Sequence, residues 1–117
     1  MRTLEEAGAS LQISPNVIDF LVNGIRRAGE PLAIIAYGSR ARGEAADESD
    51  YDVLALSSLT GYPLKEYSLA ADAELWGLDR DLDFLALNID DFKAGIEAEN
   101  EFECNVMRDG VILYGEI

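Results

Sequence analysis

Tyr37-Gly38-Ser39-Arg40-Ala41-Arg42-Gly43, followed after a short acidic stretch by Ser49-Asp50-Tyr51-Asp52-Val53, is the part of the chain that decides the fold. The apolar run Leu32 to Tyr37, bounded by Pro31 and Gly38, reads as a buried strand. Leaving that strand through Gly38 exposes backbone N–H groups that can cradle phosphate at the start of a helix, and Ser39 adds a hydroxyl donor. A second strand is expected over Tyr51 to Leu56, with Tyr51, Val53 and Ala55 pointing one way and Asp52, Leu54 and Leu56 the other. Asp50 and Asp52 then face the same side, their side-chain bases about 6 to 7 Å apart. Like charges at that spacing repel, and a divalent cation between them turns the repulsion into coordination. Each piece also has a plain reading, a tight turn for Gly-Ser and a solvated pair for the carboxylates. Their conjunction is what points to a site.

Working outward, Leu82 to Leu87 reads as a third strand, almost wholly apolar apart from Asp83. Its neighbours are expected to be largely buried, and an unpaired buried carboxylate is costly. If this strand lies beside the one holding Asp52, three carboxylates meet at one end of a sheet opposite the glycine turn. Asp81, two residues earlier on the same strand face, competes with Asp83 for the third place. Upstream, Ser14-Pro15 marks a helix start, and Val17, Ile18, Leu21, Val22 and Ile25 share one helical face up to Gly29. Thr3 and Glu6 have the spacing of a capping box for a short first helix, weakened by Gly8.

Ser57 to Pro63 read as loop, and a helix is expected from Leu64 to Trp76, stopping at Gly77 with its aromatic end packed on the sheet. Asp90 and Asp91 are candidate caps for one more helix, with apolar contacts from Phe92, Ile96, Phe102, Val106 and Met107 before Asp109-Gly110. A final strand covers Val111 to Tyr114. Strands alternating with helices imply an α/β (α+β) arrangement, a small mixed sheet flanked by helices. The expectation is one domain over residues 1–117, the first 13 forming an N-terminal extension or short helix.

Composition narrows the chemistry. Asp and Glu number 23 against 9 Lys and Arg, a formal charge of -14 that would repel a phosphate backbone, so direct nucleic-acid binding is not expected. With no histidine and a single cysteine, Cys104, the chain can build neither a zinc constellation nor a Ser-His or Cys-His pair. Any metal must be held by oxygen ligands, which suits magnesium or manganese. The apolar stretches fall short of the ~20 residues a membrane helix needs. Arg2 soon meets Glu5 and Glu6, unlike a secretory signal, so the expected location is cytoplasmic.

The ordered set Gly38-Ser39-Arg40-Ala41-Arg42-Gly43, five residues, then Ser49-Asp50-Tyr51-Asp52-Val53 resembles the signature of minimal nucleotidyltransferases of the DNA polymerase beta superfamily. The likeness is close from Tyr37 to Leu56, and Asp83 to Leu87 and Gly110 to Tyr114 are similar to that family's third-carboxylate strand and C-terminal end. The resemblance implies a small mixed sheet in which Gly38 and Ser39 contact the triphosphate of ATP or another nucleoside triphosphate. It also implies that Asp50 and Asp52 hold magnesium, joined by Asp83, which assists the attacking hydroxyl. Arg42 has two readings, local salt bridge or phosphate contact, and Arg40 is expected at an exposed surface.

Larger relatives carry a second domain for the acceptor. Stand-alone domains are similar to the antitoxin half of toxin-antitoxin modules, whose partner is a helical HEPN-domain ribonuclease that receives AMP on a tyrosine. Three functions follow from the resemblance. They are transfer to a protein, occlusion of a partner without chemistry, and transfer to an aminoglycoside-like small molecule, the last requiring a homo-oligomer to complete the acceptor pocket.

Overall fold

A computed structural model describes all 117 residues. The chain opens with a short strand β1 (Arg2–Thr3) and a single helical turn α1 (Leu4–Ala7), closed by a 3-10 turn at Gly8–Ser10. The Thr3/Glu6 capping box forms in both directions, each side chain accepting the other residue's N–H. Helix α2 (Pro15–Ala28) starts where expected. Ser14 accepts the Val17 N–H, and Pro15 fills a first-turn position whose N–H would have no helical partner.

The rest alternates strand and helix: β2 (Ala33–Tyr37), α3 (Gly38–Arg42), β3 (Tyr51–Ser57), α4 (Gly61–Glu74), β4 (Leu82–Asn88), α5 (Ile89–Glu97), α6 (Glu101–Asp109) and β5 (Val111–Gly115). The five strands form one sheet in the order β1-β5-β2-β3-β4. β2 runs antiparallel to both β3 and β5, while β1 with β5 and β3 with β4 are parallel. A parallel neighbour cannot be reached by a hairpin, so α4 makes the crossover from β3 to β4.

Side-chain alternation on the central strands builds two cores. Ile34, Ala36, Val53 and Ala55 face α2 and α4 together with Leu21, Ile25 and Tyr67. Ala33, Ile35, Leu54 and Leu56 face α5 and α6 through Phe92 and Val106. The parity expected of β3 is the parity observed, which commits Asp52 to the α5/α6 side.

Four local expectations change. The single helix expected after Asp90 is two, because Glu99 adopts φ +59 and reverses the chain before Asn100 opens α6. Asn88, not Asp90 or Asp91, caps α5, its side-chain oxygen accepting both of their N–H groups. Helix α4 begins at Gly61, taking in part of the expected loop. Trp76 does not pack on the sheet: Tyr67, Ala71 and Leu75 hold the inward side of α4, and Trp76 beyond them is 82% exposed.

Candidate active site

Gly38 stands at the junction of β2 and α3 with φ +75, in the left-handed region that side chains resist. A Cβ built there would strike the carboxylate of Asp52. The glycine is thus demanded twice, by the turn it makes and by the carboxyl group lying against its bare Cα. No side chain caps the start of α3, so its first N–H groups stay available beside Asp52, with half-buried Ser39 following. Gly43 closes this five-residue helix in the left-handed conformation.

Strand register supplies what spacing could not. Tyr37 lies opposite Asp52 across the antiparallel pair, and Asp52 lies opposite Asp83 across the parallel pair. One row of the sheet therefore carries Tyr37, Asp52 and Asp83 side by side, on the face whose continuation is covered by α5 and α6. Asp50, exposed, stands just before β3, two residues ahead of Asp52 and near enough for its charge to act on it. Asp81 falls before β4, where its carbonyl accepts the Tyr51 N–H. Of the two candidates for a third carboxylate, Asp83 is the one brought opposite Asp52.

The electrostatics agree with this grouping. Burial, then the charges of Asp83 and Asp50, hold the Asp52 carboxyl above its usual range, and Arg42 opposes them weakly. Burial, then the carboxylates of Asp83 and Asp52, push the Tyr37 phenol far up as well. The side chains as they stand are not gathered into a ready ligand cluster. Their donor set still fits a hard divalent cation: oxygen only, mutually repelling, with Asp52 the shared member and a cradle at Gly38 that a side chain would fill.

Two corrections concern the reading of individual residues. Asp83 is exposed rather than buried, because β4 is the edge strand and its inner neighbours are only half covered. Its relevance comes from register, not from the cost of burial. Arg40, expected at the surface, is 8% exposed. Its guanidinium donates to the carbonyls of Gln12, Asp47 and Ser49 and lies 4.4 Å over the Tyr51 ring.

Arg42 is exposed and pairs with Glu44 at 3.2 Å and Asp109 at 3.6 Å, the local salt bridge of its two readings. Tyr37 was not among the expected site residues. It forms the wall of the row and meets Phe102 edge to face at 5.6 Å between ring centres. The largest cavity, about 640 Å3, lies between the 3-10 turn and α2, lined by residues such as Leu11, Ile13 and Ile18. It shares no residue with the carboxylate row, which opens directly onto the surface.

Residues 21–116 match the family described as polymerase beta, nucleotidyltransferase. Among solved structures, the chain is similar to a nucleotidyltransferase candidate from Sulfolobus solfataricus, with a TM-score of 0.54 and 18% identity over 82% of this chain and 75% of that one. A toxin-antitoxin structure with AMP-PNP is similar to the same degree, TM-score 0.54 and 18% identity, over 85% of this chain and 73% of that one. At such identity the likeness is one of fold. No protein of curated function matches the sequence.

Proposed function

The chain belongs to the polymerase beta nucleotidyltransferase family, and we propose that it transfers AMP from ATP to a hydroxyl on a partner protein, a HEPN-type toxin that it thereby silences as an antitoxin in the cytoplasm. The observation that carries the chemistry is Asp52 lying against the bare Cα of Gly38 at the uncapped start of α3, with Asp83 opposite it in the sheet and Asp50 two residues before it. The AMP-PNP and the toxin-antitoxin assembly of one structural neighbour motivate the donor and the partner.

Asp50, Asp52 and Asp83 would hold magnesium, which when bound supplies positive charge to the α-phosphate and the departing pyrophosphate. Gly38 and Ser39 present N–H and hydroxyl donors to the triphosphate, and Gly38 lets it approach without a side chain in the way. Arg42, already paired with Glu44 and Asp109, lies close enough to Asp52 to lower its proton affinity. Asp83, at the open edge strand, accepts the proton of the acceptor hydroxyl. The new bond joins that oxygen to the α-phosphorus, the α–β anhydride bond breaks, and pyrophosphate carries off the electron pair.

The direct test follows label from ATP marked at the α-phosphate, with magnesium, onto a HEPN-domain protein from the same genome. Label appears on the partner with the wild-type chain and disappears with Asp50→Asn/Asp52→Asn. Tight binding of the partner by both forms, with no label from any nucleoside triphosphate, would refute transfer and leave an occluding module. Gly38→Ala gives a second check. The added methyl group displaces the Asp52 carboxylate, and a misplacement of about 1 Å at a reacting centre costs on the order of a hundredfold in rate. Transfer kinetics beside a thermal melt would separate that loss from unfolding.

A further inference from the structure

Helix α4 is apolar on two opposite sides. Tyr67, Ala71 and Leu75 face inward, where they pack against α2 and the sheet. On the outward side Tyr62, Leu69 and Trp76 recur every seven residues and are 71%, 63% and 82% exposed. Seven residues are close to two helical turns, so Tyr62 and Leu69 form one stripe along the helix, and Trp76 stands in the turn that follows its last residue, Glu74. Lys65 and Asp72 flank it on one side, both exposed and neither in an ion pair within the chain, and Glu66 and Ala73 flank it on the other.

The stripe is self-complementary about Leu69. When two copies of α4 lie antiparallel across a two-fold axis at that residue, Leu69 meets the partner's Leu69, and each Tyr62 comes toward the end of the partner helix that Trp76 follows. The same operation places Lys65 beside the partner's Asp72, twice. Glu66 falls against the partner's Ala73 rather than against another carboxylate. A two-fold contact must satisfy both copies with one patch, and this one matches apolar to apolar and cation to anion. We propose that the outward face of α4 is an interface with a second copy of this chain, giving an antiparallel α4 pair.

The net charge of -14 on each copy opposes association, but charges further apart than about 8 Å are largely screened at physiological ionic strength, so the contacts along α4 decide. The carboxylate row lies at the end of the other face of the sheet, the one that carries α5 and α6, so both sites stay open in the pair. Dimerisation is thus independent of the proposed chemistry, and Asp50→Asn/Asp52→Asn should dimerise like the wild type.

Trp76 is the only tryptophan, so its emission reports burial of this face directly. Sedimentation and fluorescence across the micromolar to millimolar range should show a concentration-dependent dimer with a blue shift of Trp76. Leu69→Glu, at an exposed position that the fold does not need, should remain folded and monomeric. Lys65→Asp should weaken the dimer about tenfold, and Lys65→Asp/Asp72→Lys should restore it, since the charges are then exchanged across the axis. A wild-type monomer throughout, a dimer that survives Leu69→Glu, or a double exchange that fails to restore would each overturn the proposal. So would a monomer whose Trp76 emission shifts only when a different protein is added.

Discussion

Asp52→Asn is expected to reduce nucleotide transfer by on the order of a thousandfold or more and, in the same molecule, to raise thermal stability at neutral pH in the absence of metal. The loss follows from the position of Asp52 at the centre of the carboxylate row, where a bound divalent cation is worth several kcal/mol of transition-state charge stabilisation, about a thousandfold in rate. The gain follows from the same neighbours. Burial and the charges of Asp83 and Asp50 hold the Asp52 carboxyl above its usual range, so the folded protein binds that proton more tightly than the unfolded chain does. Such a group contributes stability below the unfolded carboxylate range and loses it as pH rises through the raised value. At neutral pH the ionised Asp52 is therefore a burden on the metal-free fold that asparagine removes.

Melting curves of the wild type and Asp52→Asn in chelator, at acid and at neutral pH, check the sign. The variant should lead at neutral pH, and its lead should shrink as the pH falls below the carboxylate range. Added magnesium should reverse the order, because a ligand that binds only the folded wild type stabilises it by mass action. A variant that melts below the wild type at neutral pH in chelator would mean that Asp52 is held by favourable contacts rather than repelled. The carboxylates would then be a structural pair.

The elements legible in the sequence were those specified locally. Ser14-Pro15, the Thr3/Glu6 box and the alternation of Tyr51 to Leu56 each depend on residues a few positions apart, and each appears as read. What stayed hidden depends on register or on order in the sheet. The apolar strand around Asp83 implies burial, but apolar composition does not say which strand is the edge. Tyr37 belongs to the site only because an antiparallel pairing, 15 positions along the chain, sets it opposite Asp52. A large aromatic such as Trp76 is expected inward, but Tyr67, Ala71 and Leu75 already fill the inner side there. The break at Glu99 left no signal, since neither glycine nor proline marks it.

Arg40 is where the two kinds of information part, and Arg40→Met is expected to cost about 3 kcal/mol of stability, lowering the melting temperature by roughly 10 °C. In the sequence Arg40 is one cation among the few within a small polar motif, and a surface position is the natural reading. In the fold its guanidinium is buried and joins three segments that are otherwise separate: the linker at Gln12, the loop at Asp47 and Ser49, and the ring of Tyr51. Methionine keeps most of the volume and none of the donors, leaving carbonyls that a charged partner had satisfied.

Tyr51 sits between Asp50 and Asp52, and Ser49 immediately before them, so the loop that Arg40 fixes is the one that delivers both carboxylates. Arg40→Met should therefore lose transfer activity at temperatures well below its own melting point, through misplacement of Asp50 and Asp52 rather than through unfolding. Arg40→Lys, which keeps the charge but not the planar fork that reaches several carbonyls at once, should fall between wild type and Arg40→Met in both stability and activity. Equal activity per folded molecule in all three forms would show that Arg40 holds the fold alone, with Asp50 and Asp52 positioned by β3 itself.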